Sequence, residues 1–184
     1  MAAGFRLLGL FGLLLALSSC LGSSEEIFAA DQAVNVPGVE GDYVQQGGGS
    51  GDTLRLERIS GSPDYAFFDP KNPDQDRMRL RAVSAGADMY LLQIRDDTWP
   101  AGRYWHVLVR VERANNAVAR IVLLFPGEAA LNTLAAQSGI TFGPPGPSDT
   151  YGPNTMQGSR EAIAAFLKKI PTLPLQEIGT YAKS

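Results

Sequence analysis

The sequence is poor in the residues that build covalent staples and metal centres. It has a single cysteine, Cys20, and a single histidine, His106. One thiol cannot close a disulfide within the chain, and one thiol with one imidazole cannot furnish the four ligands of a structural zinc site. Sites needing several imidazoles are excluded on the same count. There is no basic surplus either: 16 Lys plus Arg stand against 19 Asp plus Glu, a formal net charge of −3. A nucleic-acid partner is therefore not expected, nor an electrostatic grip of the whole chain on anionic lipid. No apolar run approaches the ~20 residues that span a bilayer as a helix. The glycine-rich run Gly48-Gly49-Ser50-Gly51-Asp52 lacks the last glycine of a nucleophile elbow and the Lys-Ser/Thr of a phosphate cradle.

What is present begins with the first twenty residues. Arg6 lies in a short leading segment, an unbroken apolar core runs from Leu7 to Leu17, and small residues Ser18 and Ser19 precede Cys20. These are the three parts of an export signal. The tetrapeptide Leu17-Ser18-Ser19-Cys20 resembles the lipobox of bacterial lipoproteins. That resemblance implies cleavage before Cys20, acylation of its thiol, and a palmitate-bearing mature chain that starts there. It also accounts for an unpaired cysteine in an exported protein, since lipidation consumes the thiol. The alternative is an ordinary signal cut after Ser18, leaving a free thiol. Leu21 after the cysteine, with no Asp there, implies the outer membrane, facing the periplasm. Loss of the leader removes Arg6 and no acid, so the mature net charge is −4.

Residues 1–19 are thus expected to be a signal peptide and residues 20–39 a lipidated cysteine with a flexible tether. The stretch from Leu21 to Val39 lacks sustained periodicity and opens on Gly-Ser-Ser-Glu-Glu. A single domain is expected over residues 40–184. There the dominant period is two, with strands starting near Asp42, Thr53, Tyr65, Arg77, Met89, Arg103 and Ala117 and turn residues between them. This spacing predicts an α+β fold, a twisted antiparallel meander of about 6–8 strands, open or partly closed as a barrel. It resembles the spacing of small lipocalin-like domains, which by itself transfers no site.

The sharpest unit is a hairpin, Arg103–Arg113 and Val118–Phe125, around Asn115-Asn116. That pair can supply the positive φ angles of a two-residue type I′ turn. A simple register places Val111, Val109 and Val107 across from Arg120, Val122 and Leu124, with Arg110, Leu108 and His106 across from Ile121, Leu123 and Phe125. Both faces are apolar away from the turn, which predicts cover on both sides. Two helices are expected to supply it. Glu128–Gln137 is stopped at Gly139. Arg160–Ile170 is capped by Ser159 and striped by Ile163, Phe166, Leu167 and Ile170.

Few residues suggest chemistry. Arg77, Arg79 and Arg81 alternate along one strand and could form an anion-binding stripe, or else pair with acids such as Glu57 and Asp96. Phe142 and Tyr151 lie in a loop of Pro and Gly, Thr141–Gly158, that could border a ligand or partner. Asn72-x-Asp74-x-Asp76 resembles the start of a calcium loop. Arg77 stands where that loop needs glycine and Val83 where it needs the bidentate acid, so neither a metal nor a cofactor is expected. A lone His106 on a buried strand reads as a core residue. The functional expectation is a non-enzymatic binding or scaffold module of the bacterial envelope, joined to the bilayer through Cys20. The alternatives are a carrier of a small apolar ligand or lipid in a calycin-like cup, with Thr141–Gly158 at its mouth, and an envelope-polymer-modifying enzyme.

Overall fold

Apolar and polar residues alternate from Gly41 onward because each strand is one wall of a closed sheet, with one side turned inward and the other outward. The computed structural model describes residues 21–47, 53–73, 77–96, 104–143 and 155–184. The leader, Cys20, the glycine run at 48–51, Asp74, Asp76 and Tyr151 lie outside them. In chain order the elements are β1 (Leu21–Ser23), β2 (Gly41–Gln46), β3 (Thr53–Arg58), β4 (Tyr65–Phe68), β5 (Met78–Gly86), β6 (Met89–Asp96), β7 (Tyr104–Ala114) and β8 (Ala117–Pro126). There follow α1 (Glu128–Gln137), β9 (Thr141–Gly143), β10 (Thr155–Gln157), α2 (Arg160–Lys169) and β11 (Leu175–Lys183).

Strands β2 to β8 pair antiparallel in sequence order, and β11 closes the ring by pairing with both β8 and β2. The result is a closed 8-strand barrel with two helices on its flank. The expected α+β meander is thus observed, and closure removes the sheet edges that an open meander would expose. The interior holds Tyr43, Leu56, Tyr65, Phe67, Leu80, Trp105, Val107, Val109 and Val111. Outside, α1 and α2 lay Leu131, Leu134, Ile163, Phe166 and Leu167 over Leu108, Val122 and Leu124, so the β7–β8 hairpin is covered on both sides. Ser159 caps α2 as its side chain accepts from the Ala162 amide at 3.2 Å.

The Asn115 and Asn116 φ angles are +51° and +64°, the two left-handed residues of the expected turn. The register beyond it differs from the simple one. Ala114 pairs with Ala117 and Arg113 with Val118, but Glu112 pairs with Arg120 and Val111 with Ile121. Ala119 is the extra residue of a β-bulge, which advances β8 by one position and sends Ile121 and Leu123 inward with the valines. His106 does not lie across from Phe125. Its neighbours are Gln93 on β6 and Leu21 on β1.

That substitution of partners reflects a wedge in the barrel wall. One edge of β7 runs along β6; the other is shared, with β8 pairing Leu108–Ala114 and β1 pairing Tyr104–His106. Strands β10 and β9 extend from β1. The described ends of Thr141–Gly158 therefore stand beside the outer wall, next to β1.

The largest departure from expectation is the segment from Leu21 to Val39. It is not a free tether: Leu21, Ile27, Phe28, Val36 and Val39 are all buried. Among the described residues the folded unit includes Leu21 to Val39 as well as residues from 40 onward. These residues escape a periodicity search because they cover three different surfaces in turn: an edge of β7, the outer wall, and the end of the barrel. At that end Val36 and Val39 join the interior core. Tyr43 donates to the Val39 carbonyl at 2.6 Å and Val36 donates to the Tyr65 hydroxyl at 2.9 Å, which plugs the mouth nearest the β7–β8 turn. Burial pushes the Tyr43 phenol up to about 12, with Glu40 adding to the rise.

Candidate functional site

On the outer wall, cross-strand register sets three polar residues in a row: Arg81 on β5 opposite Gln93 on β6, and Gln93 opposite His106 on β7. All three are buried, with Ser23 and Asp64 beside them. Buried polar groups need partners, and the N-terminal segment supplies most of these. The Gln93 side-chain oxygen accepts from the amides of Ile27 and Phe28, each at 2.9 Å, and its amide nitrogen donates to the Phe28 carbonyl at 3.1 Å. Arg81 donates through Nη1 to the Phe28 carbonyl at 2.7 Å and to Glu26. Its remaining fork meets Asp64 bidentately, Nε at 2.7 Å and Nη2 at 2.9 Å. The hydrogen bond that the guanidinium donates to Asp64, opposed by burial, holds its pKa above the usual value. Removing one partner of such a buried pair costs about 3–5 kcal/mol, because the other charge is left uncompensated.

Ser23 and His106 complete the row. The Ser23 hydroxyl donates to the Glu25 carbonyl at 2.7 Å, so its proton is committed there. His106 Nε2, 2.9 Å from Ser23 Oγ, is then the donor of that bond, and Nδ1 is a bare acceptor among apolar neighbours. Phe28 meets the imidazole edge to face, centroids 6.1 Å apart. Burial drives the His106 pKa down to about 3, so the ring is neutral at ordinary pH.

A serine and a histidine at this spacing invite comparison with a nucleophile and its base. Here the hydroxyl is the acceptor, Nδ1 has no hydrogen-bond partner among the described residues, and the residues are 2% and 3% exposed. The pair fastens β1 to the wall.

The arginine stripe is corrected by the same geometry. Arg81 is consumed by Asp64 and Glu26 and cannot face a soluble anion. Arg77 pairs with Glu57 at 3.6 Å and lies over the Phe68 ring at 4.6 Å, the cross-strand pairing that sequence offers as the alternative. Arg79 is exposed on the outer face opposite Arg95. Two of the three, Arg77 and Arg81, thus stand in ion pairs with different acids. Phe142, half-buried, packs edge to face on Phe166 of α2 at 6.3 Å, against the outer core. Among the described residues no group of His, Cys, Asp and Glu is placed to hold a metal.

Compared with protein-family models, curated proteins and solved structures, the chain matches none. Its site is therefore read from its own residues. Sequence reasoning singled out Arg81 and His106 for the wrong neighbours and passed over Gln93, Ser23, Glu26 and Asp64. The one available signal was a strand-borne Arg, Gln and His at depths where aliphatic residues would otherwise stand.

Two small spaces lie among the described residues. Inside the barrel, Val36, Leu56, Tyr65, Leu80, Leu92 and Val109 border a cavity of about 30 Å³, room for about one water. In the wall wedge, Leu21, His106, Leu124, Pro126, Leu167 and Ile178 border a crevice of about 20 Å³.

Proposed function

We propose that this chain is a lipoprotein of the bacterial envelope, attached through acylated Cys20 and carrying a non-catalytic barrel that serves as a binding or scaffold module. The observation that supports this reading most is the fastening of Leu21–Phe28, directly after the lipobox, by Arg81, Gln93 and His106. A chain processed at Cys20 retains every residue of that lock, and the buried polar side chains are occupied in holding the attachment point to the barrel. Leu21 after the cysteine favours the outer membrane. The test is the intact mass of the mature protein from the membrane fraction, compared with Cys20→Ser. An acylated chain starting at Cys20 is expected; an unmodified chain starting at Ser19 would sink the proposal.

A second reading, a carrier of a small apolar ligand, is favoured by one feature: a closed barrel plugged at one end is a cup. Against it stands the interior, which around Val36 and Val109 leaves space for about one water. Solvent extraction of protein purified from its own cells decides between them. A stoichiometric lipid in the extract of the Cys20→Ser form would favour the carrier.

A further inference from the structure

The N-terminal strand and a bulge in the last strand bring two features to one place on the barrel. In β11, Glu177 pairs with Leu124 and Gly179 with Leu123, leaving Ile178 as the extra residue. Bulges re-aim side chains, and this one turns Ile178 out of the wall. At 36% exposure it is the exposed large hydrophobic residue found among the described residues. It borders the same crevice as Leu21, whose neighbour Cys20 is one peptide, about 3.8 Å between Cα atoms, further back. Lys168 and Lys169, both exposed, lie between the crevice residues Leu167 and Ile170 at the end of α2. Leu21 itself is buried in the sheet, so no slack separates the attachment residue from the folded wall.

Resting on the reading of Cys20 as acylated, we infer that the wall around the β7–β8 wedge, presenting Ile178 at the crevice that Leu21 also borders, lies directly on the bilayer surface. A lipid anchor at residue 20 with no tether brings this wall to the headgroups. An exposed apolar side chain suits the acyl boundary, and the exposed Lys168 and Lys169, in the helix turn between the crevice residues Leu167 and Ile170, suit anionic headgroups. The overall charge of the mature chain is negative, so the contact is local and its orientation fixed.

The test uses the full chain, purified in its lipidated form and reconstituted into phosphatidylethanolamine–phosphatidylglycerol vesicles carrying a nitroxide-labelled lipid. A fluorophore is placed at Ile178→Cys or at Glu57→Cys. The second site faces outward from β3, which lies across the ring from β7 and β8. Quenching several-fold stronger at 178 than at 57 is expected. In unsubstituted protein, amide exchange over residues 168–178 should slow when vesicles are present. Equal quenching at the two sites, or none at either, with an acyl group found on Cys20 would overturn the inference and leave the lipoprotein reading standing. An unacylated Cys20 would overturn both.

Discussion

His106 shows how one residue can couple the fold to pH. Its folded pKa is lowered, from 6.5 to about 3, because burial penalises the imidazolium. Above 6.5 both states are neutral there and the group costs nothing. As pH falls below 6.5 the unfolded chain gains a proton that the folded chain refuses, so stability is lost progressively down to about pH 3. Between pH 7 and pH 5 the loss from this residue is about 2 kcal/mol. Asp42 and Glu112, whose pKa values are lowered by hydrogen bonds from Arg55 and Arg110 respectively, lose their contribution only below that window. Urea unfolding at the two pH values should show this loss in the native chain and a flat response in His106→Gln, whatever that variant's absolute stability. Equal slopes in the two proteins would refute the assignment. The residue's burial was legible in sequence, since histidine on an apolar strand reads as core. Its partner was not, because Ser23 lies in a stretch that reads as linker.

At the level of elements, the hairpin, the two helices and seven barrel strands follow from short-range signals: Asn-Asn at the turn, Ser159 at the cap, apolar spacing of four-turn kind in α2. The elements that escaped are those whose signals are interrupted. The bulge at Ile178 breaks the period of two within β11, and β1, β9 and β10 are three residues each, too short to show a period; in β8 the bulge at Ala119 hid only the register. The segment Leu21–Phe28 behaves as an element of the fold although it has almost no regular structure. A soluble chain beginning at Ala29 should be less stable than one beginning at Leu21 by at least about 3 kcal/mol, because Arg81, Gln93 and His106 lose partners while their depth is only partly relieved. Chemical denaturation of the pair measures it. A difference below about 1 kcal/mol, the worth of a single ordinary hydrogen bond, would mean that the row tolerates water.

For the whole molecule, the decisive contact is between the ends of the domain. β11 joins β8 to β2, so the last strand closes what the earlier ones leave open. A chain stopped at Leu173 would retain both helices but leave two full strand edges unpaired. Such a chain should aggregate or run as large species in size-exclusion chromatography, where the intact domain runs as a discrete peak. A discrete, folded truncation product would contradict closure as the source of stability.

The sequence by itself determined the alternating strands, the turn, the two helices, the exclusion of a disulfide within the chain, and the expectation of an anchor at Cys20, because each depends on composition or on neighbours a few residues apart. Tertiary structure alone decided that the sheet closes, that residues 21–39 belong to the folded unit, and that Arg81 is spent on Asp64 and Glu26. The physical reason is common to all three. Closure, docking and buried pairing are made between groups 17 to 66 residues apart in the chain or farther, as in Arg81 with Asp64 and Gln93 with Ile27, and no local period records them.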